Sequence, residues 1–187
     1  MRDTGPETGP TRGISLLRLP LTALLCASTL FSQVGKNNII TTFAGAAWTF
    51  PDGIDALNAP IGPVDSVFAD ANDSVIFASR GSDVVMRINP DGTVKVIAGN
   101  GIRGFSGDGG AALKASLNQP VDVVADARGN LYIYDGGNAR IRRVAPDGTI
   151  STYAGSGAFG YAGDGGPALK AQFGSLARLA LDASGSL

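Results

Sequence analysis

The sequence of 187 residues contains no histidine and only one cysteine, Cys26. Histidine is the commonest general base and a common metal ligand, so its absence excludes Ser-His-Asp and Cys-His catalysis and histidine-built zinc sites within this chain. One cysteine cannot form an internal disulfide. We therefore expect no catalytic residues, no metal site and no cofactor, and the sequence alone does not identify the ligand-binding residues.

The chain also lacks a strong net charge and a long apolar run. It has 15 Lys and Arg against 16 Asp and Glu, a net charge of −1, whereas a nucleic-acid surface needs a basic patch. The apolar stretch 19–31 has 13 residues, which is short of the roughly 20 that span a membrane. We expect no nucleic-acid partner and no membrane span in the mature chain.

The N-terminal region is typical of an export signal, because basic residues precede the apolar stretch 19–31 and small residues lie near its end. The pattern predicts a signal peptide over 1–32, cleaved near residue 28 or 32. The mature protein would then be secreted, periplasmic or held at the cell surface. A buried or mis-started N-terminal helix is the alternative. Lipid anchoring at Cys26 is disfavoured because the bulky Leu25 precedes it.

What is present is a repeat rich in glycine. The segment 99–120, GNGIRGFSGDGGAALKASLNQP, returns 56 residues later at 155–176 as GSGAFGYAGDGGPALKAQFGSL. The copies share six glycines and an aromatic pair, Phe105 and Tyr161. A third, more diverged copy begins at Asp52. Self-similarity at a fixed period indicates a repeat architecture.

Short β-branched and apolar segments joined by tight turns follow each glycine-rich segment. The predicted strands are 66–69, 122–125 and 178–181 for strand a, 75–79 and 131–135 for strand b, 84–88 and 140–144 for strand c, and 39–44, 94–98 and 150–154 for strand d. Antiparallel units of four strands at a fixed period are typical of β-propeller blades. A solenoid is the rival, but its units usually hold one or two elements. We predict an all-β propeller, with strand a at the central channel and strand d at the rim.

The number of units is too small for a closed ring. Residues 33–187 are predicted to form an opening strand d at 39–44, blades at 64–98 and 120–154, and a partial blade at 176–187. Propellers close with about 4–8 blades, so we expect an incomplete ring of about 2–3 blades from a truncated reading frame or fragment. Open blade edges would then favour self-association.

The segment 130–144, NLYIYDGGNARIRRV, resembles the blades of the NHL-repeat family of propellers. The glycine-rich segments resemble those of its long-repeat subgroup in secreted bacterial proteins and in the NHL region of teneurins. The resemblance implies a non-catalytic module that binds a protein or glycan, or a scaffold. The alternative is a fragment of a lactonase-like or lyase-like propeller enzyme whose catalytic residues lie in blades missing from this sequence.

Two motifs in the repeat resemble ligand-binding loops. The GxGxxG pattern at 99–104 mimics a dinucleotide loop, but further glycines follow it and no βαβ unit is present. Asp108 and Asp164 could bind calcium, although one aspartate in each loop supplies few of the 6–8 oxygens that calcium takes. We prefer a tight turn before a short helical turn begun by Pro167, with Leu113 and Leu169 packing inward.

The remaining polar candidates lie on the predicted strands. Asp122 of strand a would face the channel, but its equivalents are Ser66 and Arg178, so no ring of like ligands is predicted. The arginines of one strand c are expected to pair with nearby aspartates in preference to an acidic partner: Arg140, Arg142 and Arg143 with Asp126, Asp135 or Asp147. Inter-blade packing is the role expected of four aromatic residues: Phe105, Tyr132, Tyr134 and Tyr161.

Overall fold

The structure is a computed structural model that describes residues 52–59, 61–70, 73–175, 178–182 and 184–187. The predicted signal peptide, Cys26 and the opening strand at 39–44 lie outside these ranges. Within them, no helix is long and apolar enough to cross a membrane.

The described residues form two antiparallel sheets, ordered β1-β5-β4-β3-β2 and β6-β7-β8-β9. The strands are β1 (Ile54–Asp55), β2 (Val64–Ala69), β3 (Val75–Ser79), β4 (Val84–Ile88), β5 (Thr93–Ala98), β6 (Pro120–Ala125), β7 (Leu131–Asp135), β8 (Arg140–Val144) and β9 (Ile150–Ala154). Single 3-10 turns occur at Ala56–Asn58, Ala112–Lys114, Gly136–Asn138 and Ala168–Lys170.

Each sheet contains one four-stranded meander. We call β2 to β5 (64–98) blade 1 and β6 to β9 (120–154) blade 2. Strands β3, β4, β7, β8 and β9 have the predicted bounds, and β2, β5 and β6 begin one or two residues early. The match arises because apolar, β-branched runs alternate with turn residues such as Asp147 and Gly148, whose φ is +83°. The predicted all-β class with antiparallel four-stranded units is confirmed.

The third predicted inner strand, 178–181, is not a strand in the structure. A strand requires a hydrogen-bonded neighbour, and no ladder joins this segment to the other described residues. The turn that follows it does form. The same backbone hydrogen bond closes that turn in all three copies: Asp70 N–H to Ser74 O at 2.9 Å, Asp126 to Asn130 at 3.0 Å, and Asp182 to Ser186 at 2.9 Å.

The segment 99–119, here called connection 1, contributes Ala112, Ala115 and Leu117 to the core between the two blades. One apolar cluster combines side chains of blade 1, connection 1 and blade 2: Ile76, Val85, Ala98, Ala112, Ala115, Leu117, Val123, Leu131, Ile133, Val144 and Ile150. Leu117 is fully buried in it. The connection therefore contributes to the core that holds the blades together.

The packing of the helical turns differs from the prediction. Leu113 and Leu169 were expected to pack inward, yet each is 56% exposed. A 3-10 turn has three residues per turn, which places residues i and i+3 on one face. In connection 1 that face holds Ala112 and Ala115, which are both buried. The turn expected to begin at Pro167 begins one residue later, since Pro167 is extended at ψ 131° and occupies the cap position.

Candidate functional site

The inner strands of the blades line a groove of about 310 Å³. Its lining comes from five of the six residues of β2, from the middle of β6 and from the segment after the second glycine-rich copy at 155–175, which we call connection 2. The lining residues are Val64, Asp65, Ser66, Val67, Phe68, Asp122, Val123, Val124, Arg178 and Leu179. The three equivalent positions Ser66, Asp122 and Arg178 thus share one groove, which we call the inner-strand groove.

Asp122 links two of the segments that line this groove. It is 4% exposed, and its Oδ1 accepts the N–H of Val123 at 2.9 Å. Its Oδ2 accepts the N–H of Leu179 at 2.5 Å. Both carboxylate oxygens of Asp122 therefore accept hydrogen bonds from backbone N–H groups. Through the bond to Leu179, Asp122 fixes the segment that contains Arg178 against β6.

Asp65 and Ser66 carry polar atoms that have no partner among the described residues. Ser66 is 7% exposed and its Oγ makes no hydrogen bond, and Oδ2 of Asp65 is likewise buried and unpaired. The register of β2 on β3 shifts between Val64 and Ser66. Such a bulge re-aims side chains, and here both neighbours line the groove. Buried polar groups are nearly always paired, and leaving one unpaired costs about 1–3 kcal/mol.

Blade 2 provides an internal comparison for this bulge. Its register shifts at the same place, between Pro120 and Asp122. The residue equivalent to Asp65 is Val121, which packs against the apolar cluster of Tyr132 and Tyr134. The blade geometry thus accommodates an apolar residue at this position. Asp65 was not among the residues expected at a site, although its mismatch with Val121 in the 56-residue repeat is a signal that marks it.

A second groove of about 420 Å³ continues along the inner strands towards the turns that begin with aspartate. Phe68 borders both grooves. Burial acts to raise the pKa of Asp126 in this region, but hydrogen bonds from Asn130, Arg128 and Tyr132 outweigh it and lower that pKa. These bonds close the turn, so Asp126 has a structural role here.

The predicted arginine pairing is observed for Arg142. Its guanidinium is fully buried, and NH1 lies 3.4 Å from Oδ2 of the equally buried Asp135. Burial is the largest influence on Asp135 and raises its pKa to about 6, against the opposing effects of Asn138, Asn118 and Arg142. Arg142 also donates from NH2 to Asp108 Oδ1 at 2.8 Å.

Asp108 was the calcium candidate of the first complete repeat. Its Oδ1 faces Arg142, and its Oδ2 accepts the hydroxyl of Thr152 at 2.6 Å. Both oxygens therefore bind blade 2. The described residues contain no group of three side chains suited to hold a metal ion.

Three of the four aromatic residues expected between blades pack against neighbouring segments of the chain. Phe105 lies under the guanidinium groups of Arg140 and Arg142, 4.1 Å and 4.8 Å from their Cζ atoms. Tyr132 is buried, and Tyr134 is buried and donates its hydroxyl to Gly174 O at 2.8 Å. Tyr161 is different, because it is 87% exposed and no arginine of the described residues lies over its ring.

Comparisons with known proteins identify the fold. No protein-family model matches the chain, and no curated protein sequence matches it. A structural-genomics protein of unknown function from Bacteroides thetaiotaomicron is similar at 25% identity and a TM-score of 0.53, over 59% of this chain and 28% of its own. An auxiliary nutrient-binding protein from the same species has 19% identity and a TM-score of 0.51, over 63% of this chain and 32% of its own.

The chain thus spans less than a third of the length of these two solved structures. The two sheets are β-propeller blades, as the 56-residue repeat predicted.

Proposed function

We propose that this chain is part of an exported β-propeller of the long NHL-repeat type that binds a hydroxyl-rich ligand, such as a glycan, without transforming it. The inner-strand groove is the proposed site. One observation carries the proposal: Ser66 Oγ and Asp65 Oδ2 are buried in the groove lining without hydrogen-bond partners among the described residues.

The ligand class follows from the chemistry of these atoms. An ionised carboxylate only accepts hydrogen bonds, and a serine hydroxyl both accepts and donates. A ligand must therefore bring donors, and neighbouring hydroxyl groups bring donors and acceptors without net charge. The groove volume of about 310 Å³ lies at the lower end of the range for small-molecule sites. A monosaccharide unit of a longer glycan has the required chemistry.

The absence of catalysis is proposed from composition. The sequence has no histidine, so the groove offers the carboxylate of Asp65 and the hydroxyl of Ser66 for holding a ligand and no imidazole for proton transfer. Export is proposed from the N-terminal sequence pattern alone, and the NHL assignment from the resemblance at 130–144.

The test measures the binding of neutral oligosaccharides to the full chain by calorimetry or saturation-transfer NMR. Asp65→Val and Ser66→Ala should each weaken binding at least about tenfold, the equivalent of one lost hydrogen bond to a buried polar group. Asp65→Val should also raise the free energy of unfolding by about 1 kcal/mol, because it removes a buried unpaired oxygen. The repeat itself places Val121 at this position, so the variant is expected to fold.

Lys95→Gln is the matched control, because Lys95 is exposed on β5 and lies outside the groove lining. Its affinity should equal that of the unmodified chain. Binding that survives both groove substitutions would place the ligand elsewhere. Preference for a polyamine or a dicarboxylate over every neutral oligosaccharide would overturn the proposed ligand class.

A further inference from the structure

We propose that a pocket between the two blades binds a small zwitterion, namely an α-amino acid with an aliphatic side chain. The pocket has a volume of about 270 Å³. Its lining comes from blade 1 and from the β6–β7 half of blade 2, so both walls belong to the two described meanders. We call it the inter-blade pocket and define it by six of its lining residues: Phe68, Asp70, Ile76, Arg87, Asp126 and Leu131.

Blade 1 supplies one wall of this pocket as a single row of side chains across three strands. Phe68 of β2 lies opposite Ile76 of β3, and Ile76 lies opposite Arg87 of β4. Residues directly opposite each other on adjacent strands project from the same face of the sheet. The wall therefore runs from an aromatic ring through an aliphatic side chain to a guanidinium group.

The pocket reaches the apolar core and opens at the turn that follows β6. Ile76 is fully buried, Leu131 is 6% exposed, and both belong to the core cluster that joins the blades. Ala127 and Gly129 of the turn also line the pocket, and both are exposed. A ligand can therefore enter at the turn and place an apolar group against Phe68, Ile76 and Leu131.

Arg87 brings a guanidinium group that is not fully paired within the described residues. Its Nε is buried without a partner there, and its NH2 lies 3.9 Å from Oδ2 of Asp70, which is too far for a hydrogen bond. A guanidinium carries five N–H donors and no acceptor, and buried polar atoms are nearly always paired. Arginine frequently binds a carboxylate through two parallel hydrogen bonds. The pocket therefore suits a ligand that carries a carboxylate group.

Asp70 places a carboxylate beside that guanidinium. Its Oδ1 accepts the N–H of Ser74 at 3.0 Å, and its side chain is 11% exposed. Asp70 and Arg87 thus present opposite charges side by side in the pocket. An α-amino acid carries its ammonium and its carboxylate on one carbon atom, so its two charges complement both residues at once. The ammonium meets Asp70 while the carboxylate meets Arg87.

The second carboxylate of the pocket disfavours a ligand that has a carboxylate but no ammonium. Asp126 lines the pocket too, so such an anion would meet two carboxylates and one guanidinium. Asp126 is engaged by its own turn, since its Oδ2 accepts Asn130 Nδ2 at 2.7 Å and the Tyr132 hydroxyl at 3.3 Å. An amine without a carboxylate would leave the donors of Arg87 unpaired.

The size of the pocket favours a single amino acid. Its volume of about 270 Å³ lies just below about 300 Å³, where the range for drug-sized ligands begins. The apolar surface of Phe68, Ile76 and Leu131 matches an aliphatic side chain. A peptide or a polar amino acid fits this volume and this surface less well.

The test measures the binding of leucine to the full chain by calorimetry, together with two analogues that each lack one charge. Leucinamide has no carboxylate and 4-methylpentanoate has no ammonium, so each should bind at least about tenfold more weakly than leucine. Arg87→Gln should weaken leucine binding at least about tenfold, because it removes the charge-assisted hydrogen bonds. Arg143→Gln is the matched control and should leave the affinity unchanged. Arg143 is the equivalent residue of blade 2, and its Nε is also buried without a partner among the described residues, but it lies outside the pocket lining.

The comparison of the three ligands uses the unmodified chain, so it does not depend on the folding of any variant. Equal affinity for leucine and leucinamide would overturn the proposal, and so would the absence of leucine binding. An equal loss in Arg87→Gln and Arg143→Gln would also overturn it.

The inter-blade pocket and the inner-strand groove share Phe68 but differ in their polar atoms. A loss of leucine binding in Asp65→Val would place the amino acid in the inner-strand groove and overturn the present proposal. A failure of oligosaccharide binding concerns the groove alone, because the polar groups that recognise leucine belong to Asp70 and Arg87.

Discussion

Connections 1 and 2 share their glycines, their aspartate and their internal hydrogen bonds, yet their surroundings differ. Connection 1 packs against side chains of both blades, and its Leu117 is fully buried. The equivalent residue of the second, Phe173, is only partly buried and packs against the cluster of Tyr132 and Tyr134. The comparison separates what a glycine-rich segment does by itself from what a neighbouring blade adds. Local backbone geometry is intrinsic to the segment, whereas burial is supplied by the interface.

The two blades also differ in the residues that they bury at equivalent positions. Blade 2 buries the pair Asp135 and Arg142, while blade 1 has Ser79 and Met86 at the equivalent positions. Oγ of Ser79 is buried without a hydrogen-bond partner among the described residues. Both blades form the same meander, so the ion pair is not needed for the strand topology. It serves instead to hold connection 1 through Asp108.

The largest expected effect comes from breaking that buried pair. Arg142→Met leaves the fully buried carboxyl of Asp135 without its cation, which should lower the free energy of unfolding by about 3–5 kcal/mol. The double variant Arg142→Met with Asp135→Ser reproduces the Met86 and Ser79 of blade 1 and should recover only the part of the loss that the unpaired carboxyl causes, because the bond from Arg142 to Asp108 stays broken. Urea unfolding of the single and double variants measures both values. An equal loss in the two variants would show that Asp135 is not the source of the penalty.

A smaller effect is expected from truncating Leu117, the fully buried leucine of connection 1. Leu117→Ala removes a fully buried side chain and should cost about 3 kcal/mol, within the range for buried leucines. Leu113→Ala, on the exposed side of the same helical turn, should change stability by less than about 0.5 kcal/mol. The pair of urea midpoints tests the observed orientation of this turn. A large cost for Leu113→Ala would restore the inward packing predicted from the sequence.

The sequence was sufficient to predict the blade strands, because apolar β-branched runs are bounded by turns such as Pro146-Asp147-Gly148. It also predicted that arginines of β8 pair with nearby aspartates, which the structure shows for Arg142 and Asp135, whereas Arg140 donates to the backbone carbonyls of Asn138 and Ser156. It did not predict the exposure of Leu113, since the choice between a 3-10 turn and a longer helix depends on the three-residue spacing of Ala112 and Ala115 in the core.

Two features of the candidate sites depend on tertiary structure. The unpaired atoms of Asp65 and Ser66 result from a bulge whose effect on side-chain direction is not encoded in strand alternation. The exposure of Tyr161 depends on what covers connection 2, and the glycines and the aspartate that its sequence shares with connection 1 do not reveal the difference. A repeat predicts local geometry at both copies, but long-range contacts must be established separately for each.

The glycines of the two connections allow the local and interface contributions to be compared directly. A Cβ at Gly107 would lie 2.7 Å from Ala115 Cα, and one at Gly163 would lie 2.8 Å from Ala171 Cα, at φ values of +88° and +102°. Gly163→Ala should therefore cost about 1–2 kcal/mol of local strain. Gly107→Ala should cost more, about 2–3 kcal/mol, because the shift also disturbs the contact with blade 2.

Amide exchange within each connection, together with urea unfolding, measures these costs separately. Gly109→Ala is the matched control, since its φ is +81° and no atom lies within 4 Å of the added Cβ. It should show the cost of the left-handed backbone alone, about 1 kcal/mol. Equal costs for Gly107→Ala and Gly163→Ala would mean that the interface with blade 2 does not depend on the position of this loop.

The smallest effect is a pH dependence that only the buried pair of blade 2 should show. Burial raises the pKa of Asp135 from 3.8 to about 6, so the folded state binds a proton more tightly than the unfolded state. This contribution to stability is present below pH 3.8 and is lost as the pH rises through about 6. The aspartates with lowered pKa, such as Asp126, act in the opposite direction and only below their ordinary pKa of 3.8. Urea unfolding between pH 4 and 6 should therefore show a loss on the order of 1 kcal/mol in the unmodified chain, and Asp135→Asn should abolish it; the same slope in both proteins would assign the titration to another group.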